Sequence, residues 1–296
     1  LLTAIFARGH CLMVGVPGLA KTLMVQTISR AIDLQFNRIQ FTPDLMPADI
    51  VGTNVVVEEE GGHGRTIKFM PGPVFAQIVL ADEINRATPK TQSAMLEVMQ
   101  EHTVTASGQQ YTMEEPFFVL ATQNPLEMEG TYPLPEAQLD RFMFKLLVKY
   151  SNRAELTEVL TRTTEGKHVD CTKVIDGSAI LAARQLVREV LMAPHLKDFA
   201  VRLVMGTHPG GELATEAANK FIRFGASPRA AQALVMAGKV QALLDGRYNI
   251  AHEDILTMAP AVLRHRLILN FEAEAEGIQT DDVVAKVLQS VPKTLD

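Results

Sequence analysis

The stretch from His10 to Thr22, HCLMVGVPGLAKT, constrains the fold of this chain more than any other. An apolar run over residues 11–14 leads into a loop that contains Gly15, Pro17 and Gly18, and apolar residues at helical spacing follow the loop. A buried strand, a glycine-rich loop and a helix that opens on Lys-Thr are the parts of a phosphate-binding loop. The pattern therefore predicts an α/β domain organised around this loop.

A loop of this kind binds phosphate through backbone N–H groups, and the helix N-terminus adds partial positive charge. Lys21 would reach the outer phosphates of a nucleotide, and the Thr22 hydroxyl would ligate Mg2+. The residues expected to contact the nucleotide are Gly15, Val16, Pro17, Gly18, Leu19, Ala20, Lys21 and Thr22. The competing interpretation is a glycine turn beside a surface lysine.

Ala20 stands where the consensus loop has its second glycine. The helix begins at this position, so we expect a right-handed helical φ, which alanine accepts. Gly18, by contrast, is expected to need a positive φ, which glycine adopts at no steric cost.

Two further buried strands are predicted to end in polar residues. The apolar run over 78–81 leads into Asp82 and Glu83, and the run over 117–122 delivers Asn124. Asp82 is placed to hold Mg2+, Glu83 could orient and polarise an attacking water, and Asn124 could fix the same water. The alternatives are a solvated Asp-Glu pair at a strand end and an ordinary turn asparagine.

The two halves of the chain differ in pattern. Strands alternate with helices over the first half, which indicates a mostly parallel sheet covered on both faces. Two hairpins are predicted within it, at about 54–69 and 102–114. Helical periodicity dominates from Ser151 onward. We therefore expect a nucleotide-binding core over 1–150 and an all-helical domain over 151–296.

Composition excludes several classes of protein. A chain of 296 residues has room for about two domains, and a hydrophobic content of 47% indicates a folded protein. A formal net charge of −6 argues against general nucleic-acid affinity. No apolar run is long enough to insert in a membrane. The cysteines and histidines lack ligand spacing, so no metal site built by protein alone is expected.

Two arginines lie at points where the sequence pattern changes. Arg141 falls in the segment EAQLDRF, just before the change of pattern, and Arg229 falls in GASPRA, where a helix is predicted to start at Ser227-Pro228. Composition alone does not distinguish either of them from a surface arginine.

The segments GVPGLAKT, LADEINRA, ATQNP, LPEAQLDRF and GASPRA together resemble the MoxR family of AAA+ ATPases. The resemblance spans nearly the whole chain, and the family commonly has alanine at the position of Ala20. It implies an α/β fold, namely an AAA+ P-loop NTPase αβα core followed by a C-terminal all-helical lid domain.

The resemblance also implies roles for the polar residues. Lys21 and Thr22 match the phosphate and Mg2+ residues, and Asp82 and Glu83 match the Mg2+ and water-activating pair. Asn124 matches the first sensor residue.

Both arginines acquire roles from the same resemblance. Arg141 matches the arginine finger, which reaches the nucleotide of a neighbouring subunit. Arg229 matches the second sensor, which contacts the nucleotide of its own subunit from the lid. The hairpins over 54–69 and 102–114 correspond to insertions directed toward the central pore of a ring.

The function implied is Mg2+-dependent ATP hydrolysis by an oligomer, expected to be a hexameric ring, in the cytoplasm of a bacterium or archaeon. It would remodel or mature client proteins, with a von Willebrand factor A domain protein as partner. From the composition we expect no nucleic-acid partner and no membrane insertion. The alternatives are a chelatase-type or nucleic-acid-acting AAA+ motor and a non-hydrolysing, nucleotide-gated interaction module. The chain starts without Met inside a predicted helix, so an upstream segment that helps to hold the adenine base is expected to be missing.

Overall fold

The fold is taken from a computed structural model, which describes residues 1–16, 18–58, 65–106, 108–125, 130–164 and 171–293. The chain divides into two compact units. The first, here called the loop unit, comprises Leu12–Pro133 and Leu146–Ala179. The second, the helical unit, comprises Leu1–Cys11, Leu134–Lys145 and Ile180–Asp296. Neither unit ends at residue 150, and the domain boundary expected there stays a prediction.

A five-stranded sheet forms the centre of the α/β part. Its strands, in spatial order, are β2 (Phe36–Gln40), β5 (Ile78–Asp82), β8 (Phe118–Gln123), β1 (Cys11–Val14) and β9 (Phe144–Leu147). The pairs β2–β5 and β5–β8 are parallel. All five residues of β5 are buried, as expected for a strand covered on both faces. The three strands that the apolar runs predicted, β1, β5 and β8, are therefore confirmed.

The loop unit also contains helices. They are α2 (Lys21–Ala31), α3 (Pro47–Val51), the 3-10 turn Ile84–Arg86, α4 (Pro89–Glu101) and α6 (Arg153–Thr164). Helix α6 begins with a reciprocal capping box. The Asn152 N–H donates to Glu155 Oε2 at 2.9 Å, and the Glu155 N–H donates to Asn152 Oδ1 at 3.0 Å.

The two predicted hairpins are present in the loop unit. One pairs β3 (Gly52–Glu58) with β4 (Arg65–Pro71), and the other pairs β6 (Thr103–Ala106) with β7 (Gln109–Thr112). Their tips at 59–64 and 107 lie outside the described residues. The hairpins contact each other through Phe69 and Tyr111, whose rings stack with centroids 4.1 Å apart.

The helical unit contains α1 (Leu2–Phe6), α5 (Glu136–Leu139), α8 (Pro194–Met205), α9 (Glu216–Phe221), α10 (Pro228–Leu244), α11 (His252–Leu263), α12 (Phe271–Ala275) and α13 (Thr280–Ser290). It also contains most of α7 (Gly177–Glu189). Helix α10 packs against α8 and α11, and the buried core includes Phe199, Leu203, Leu234 and Ile255. Among the described residues, no helix is long and apolar enough to cross a bilayer.

A two-stranded antiparallel ladder also lies in this predominantly helical region. It joins β10 (Ile222–Phe224) to β11 (Ile268–Leu269). This ladder could not be predicted from the sequence, because strands of two or three residues are too short to show an alternating pattern.

Candidate functional site

The phosphate loop begins where β1 ends. The Gly15 N–H donates to the Gln123 carbonyl at 3.3 Å, which ties the loop to the end of the neighbouring strand. A Cβ at Gly15 would lie 2.8 Å from the Val148 Cβ, so a larger residue would collide there. Pro17 lies outside the described residues.

The last loop residue departs from the expectation. Gly18 has a φ of +84°, as predicted. Ala20, however, has φ 52° and ψ 26°, which is the left-handed helical conformation, and it forms the N-cap of α2. The expected right-handed φ at Ala20 is therefore wrong. The chain needs a positive φ at this point in order to turn from the loop into the helix.

Lys21 lies over the loop that precedes it. Its Nζ donates to the Gly15 carbonyl at 2.7 Å. Burial lowers the pKa of the ammonium group below its ordinary value, and the negative charges of Asp82 and Glu83 oppose that shift. The lysine and the two carboxylates therefore interact in one electrostatic environment. Thr22 follows in the first turn of α2, where helix N-terminal N–H groups favour anions.

Thr122 joins the two carboxylate residues, and the sequence analysis missed it. Its hydroxyl donates to Asp82 Oδ1 at 2.6 Å and accepts from the Glu83 backbone N–H at 2.9 Å. Thr122 is fully buried. The signal that could have identified it is strand register. Ala81 pairs with Ala121, so the next residues along the parallel strands, Asp82 and Thr122, lie side by side.

Two residues of β2 contact the same carboxylates and were also missed. Arg38 donates to Asp82 Oδ2 from Nη2 at 2.6 Å and from Nε at 3.0 Å. Gln40 Nε2 donates to Glu83 Oε2 at 2.9 Å, and Arg86 pairs with the same oxygen at 3.1 Å. Each carboxylate is therefore held in place by side chains of the loop unit.

The oxygen atoms of Asp82 and Thr22 are suitable ligands for a magnesium ion that is also bound by the phosphates of a nucleotide. No group of three or more His, Cys, Asp or Glu side chains that could hold a metal ion occurs within the described ranges. Mg2+ is usually bound by one or two carboxylates together with substrate phosphates and water. Asp82 offers such a carboxylate, and the Thr22 hydroxyl is a hard oxygen donor. A cation at Asp82 would compete with the Arg38 guanidinium for Oδ2.

Asn124 is the last predicted site residue of the loop unit. It is buried and follows β8 directly. Because β5 and β8 run parallel, Asn124 and Glu83 both lie beyond the carboxyl ends of neighbouring strands. The predicted juxtaposition of these two strand ends is present in the structure.

The two predicted arginines belong to the helical unit. Arg141 follows α5, and Arg229 lies in the first turn of α10. Both line one cavity of about 210 Å³, and Arg229 Nη1 lies 3.7 Å from Asp140 Oδ2. Ser227 occupies the N-cap position of α10 as predicted, but its side chain makes no capping hydrogen bond.

Comparison with known proteins agrees with this geometry. Residues 10–144 match the model of the ATPase family associated with various cellular activities, and residues 214–287 match the AAA lid domain. Chaperone MoxR1 of Mycobacterium tuberculosis is 42% identical over 98% of this chain and 76% of the relative. The chain belongs to the MoxR family of AAA+ ATPases.

Two further comparisons give the same assignment. Protein MoxR of Methylorubrum extorquens is 30% identical over 99% of this chain and 88% of the relative. The crystal structure of a proposed ATPase from Cytophaga hutchinsonii superposes with a TM-score of 0.91 at 43% identity, over 99% of this chain and 88% of that one. The predicted family, the AAA+ fold with its helical lid and the ATPase activity are confirmed.

The left-handed alanine of this MoxR-family loop generates a first prediction. Ala20→Gly should raise the midpoint of thermal unfolding by about 2–4 °C. A Cβ in this conformation costs about 1–2 kcal/mol, and the extra backbone entropy that glycine loses on folding offsets about 0.5–1 kcal/mol of that gain. Calorimetry of both proteins measures the change. The matched control is Ala193→Gly, another N-cap alanine, whose φ is −65°. An equal gain in both variants would mean that the backbone conformation is not the cause.

A second prediction concerns the buried threonine. Thr122→Val keeps the shape of the side chain but leaves Asp82 Oδ1 and the Glu83 N–H without this partner, so unfolding free energy should fall by about 1–3 kcal/mol. The rate of phosphate release should fall about tenfold or more, because small displacements of reacting groups are costly.

Thr91→Val provides the control for that measurement. Thr91 is equally buried, and its hydroxyl donates to the Leu45 carbonyl at 2.7 Å. This variant should lose comparable stability and keep its turnover. If both variants lost turnover equally at a temperature where both are folded, the proposed importance of the Thr122 bridge would be refuted.

Proposed function

We propose that the chain hydrolyses ATP in an Mg2+-dependent reaction as a subunit of an oligomeric ring, expected to be a hexamer. The observation that carries this proposal is the arrangement of three groups: Lys21 lies over the loop that follows β1, and Thr122 joins Asp82 to Glu83 at the end of β5. Both carboxylates act electrostatically on the Lys21 ammonium group. Phosphoryl transfer to water requires a cation that binds the phosphates, a carboxylate that holds Mg2+ and a second carboxylate that activates the attacking water.

Each residue of the loop unit has a proposed role. The backbone of residues 15–20 and the Lys21 ammonium bind the phosphates, and Thr22 with Asp82 holds Mg2+. When bound, Mg2+ supplies neutralisation of phosphate charge. Glu83 accepts a proton from the attacking water, and Asn124 orients that water. Glu83 must first leave Gln40 and Arg86, whose hydrogen bonds occupy Oε2 in this structure.

The arginines complete the proposed site. Negative charge develops on the γ-phosphate oxygens during transfer, and a guanidinium group stabilises it. Arg141 would be supplied by the neighbouring subunit, so that hydrolysis depends on assembly. Arg229 would contact the nucleotide of its own subunit and report its state to the lid.

The proposed work of the ring is the remodelling or maturation of client proteins in the bacterial cytoplasm, together with a von Willebrand factor A domain partner. Support for a protein client comes from the relative in Mycobacterium tuberculosis, which is named a chaperone. The negative net charge of this chain also favours a protein client over nucleic acid.

Two variants separate binding from hydrolysis. Lys21→Ala should abolish ATP binding, because the phosphates lose their direct cationic partner. Glu83→Gln should retain binding and lower turnover by about 10²–10⁴-fold, the range for loss of a general base. A fluorescent ATP analogue measures binding, and phosphate release measures turnover.

The matched controls for this pair lie on α4. Lys90→Ala and Glu97→Gln change exposed side chains of the same types and should leave both measurements unchanged. A Glu83→Gln protein that hydrolysed ATP at the wild-type rate would refute the role of Glu83.

Mixed assemblies test whether the arginine acts in trans. Arg141→Ala should lower turnover by about 10³–10⁵-fold, and Glu83→Gln subunits should be similarly inactive alone. Mixed at concentrations at which assemblies form, they should regain turnover, because a Glu83→Gln subunit supplies Arg141 to a neighbour with an intact carboxylate. Full activity of the wild-type protein as an isolated monomer would contradict the proposal.

A further inference from the structure

The carboxylate of Asp140 is the meeting point of three side chains of the helical unit. Arg266 Nε donates to Oδ1 at 2.8 Å. The Ser227 hydroxyl lies 2.8 Å from Oδ1 and 2.9 Å from Oδ2. Arg229 Nη1 lies 3.7 Å from Oδ2. One carboxylate therefore contacts the residue at the start of α10, a residue of its first turn and a buried arginine beyond α11.

Arg266 fixes the backbone around Asp140 as well as its side chain. Its side chain is only 2% exposed. Its guanidinium group donates to the carbonyls of Asp140 and Phe142 at 3.2 and 2.8 Å, and to that of Met143 at 3.2 Å. Arg141 lies within this backbone segment. A buried cation with so many acceptors holds its surroundings in one arrangement, because each displaced contact leaves a polar group unsatisfied.

Ser227 connects the same carboxylate to α10. Serine at an N-cap usually accepts a hydrogen bond from the helix backbone. Here its side chain makes no such bond and contacts Asp140 instead. The start of α10, which carries Arg229, is therefore tied to the residue that precedes Arg141. Both arginines line the same cavity of about 210 Å³.

We propose that Asp140 is a positioning residue that sets Arg141 and Arg229 together, so that a displacement of α10 is transmitted to the arginine offered to the neighbouring subunit. The proposal rests on the proposed function and adds a connection between its two arginines. The carboxylate contacts no reacting atom in this scheme. It positions the two guanidinium groups through two sets of contacts. Arg266 holds the backbone segment that carries Arg141, and Ser227 holds the start of α10, which carries Arg229.

Asp140→Asn tests the proposal, because the amide keeps the size of the side chain and removes its charge. The expected result is a fall in kcat of about 10²-fold, the scale of loss for misplaced groups. Mixed with Glu83→Gln subunits, the variant should regain turnover above that of either parent, because the Glu83→Gln subunits supply a correctly positioned Arg141. A role confined to folding would not produce this regain.

Two further variants keep the test decisive. Ser227→Ala removes only the hydroxyl link to α10, leaves the Arg266 contact intact, and should lower kcat several-fold at a temperature at which the variant remains folded. Asp198→Asn is the matched control. It breaks another ion pair of a buried arginine, Arg202 Nε to Asp198 Oδ2 at 2.6 Å, and should lower stability while kcat is kept.

Failure of this proposal and failure of the proposed function give different results. If Asp140→Asn and Ser227→Ala both kept at least half of the wild-type kcat, Asp140 would not position the arginines. The same conclusion would follow if Arg141→Ala regained turnover in mixtures with Glu83→Gln and Asp140→Asn did not. If Arg141→Ala alone were fully active, the proposed function in trans would fail instead.

Discussion

Parallel pairing of β2, β5 and β8 is the constraint on which the loop-unit site depends. Gln40 pairs with Asp82 in the β2–β5 register, and Ala81 pairs with Ala121 in the β5–β8 register. The polar residues at the strand ends are therefore brought together by the backbone hydrogen bonds of the sheet. Because β5 is buried on both faces, a slip of one residue would exchange the side chains packed on the two faces, so the close-packed core enforces the register.

Local patterns in the sequence were sufficient for the parts of the site that lie within one segment. The apolar runs that define β1, β5 and β8 predicted their strands, and the residues directly after them are the predicted site residues. Thr122, Arg38 and Gln40 could not be found in this way. Their importance depends on which strands are neighbours and in what register, and no single segment contains that information.

Ala20 shows a different limit of reasoning from sequence. The start of the helix at this position predicts a right-handed φ, which alanine adopts without strain. The structure gives φ 52° instead. The path of the chain between Gly15 and the first turn of α2 determines this angle, and the loop accepts the local cost. Side-chain identity is a weak guide to φ where the ends of a loop are fixed by a strand and a helix.

The distribution of charge between the two units suggests why the proposed reaction would depend on assembly of subunits. The loop unit holds Asp82 and Glu83, and the helical unit holds Arg141 and Arg229 with Asp140 between them. Under the proposed function, bound nucleotide adds negative charge beside two carboxylates, which raises the need for cations. Arg141 of a neighbour meets part of that need only in the assembled state. Because Asp140 contacts both the start of α10 and the segment of Arg141, such a neighbour would present its arginine according to the position of its own lid. Under this proposal the coupling between subunits runs through the Asp140 carboxylate, the Ser227 hydroxyl that links it to α10 and the buried Arg266 that holds it.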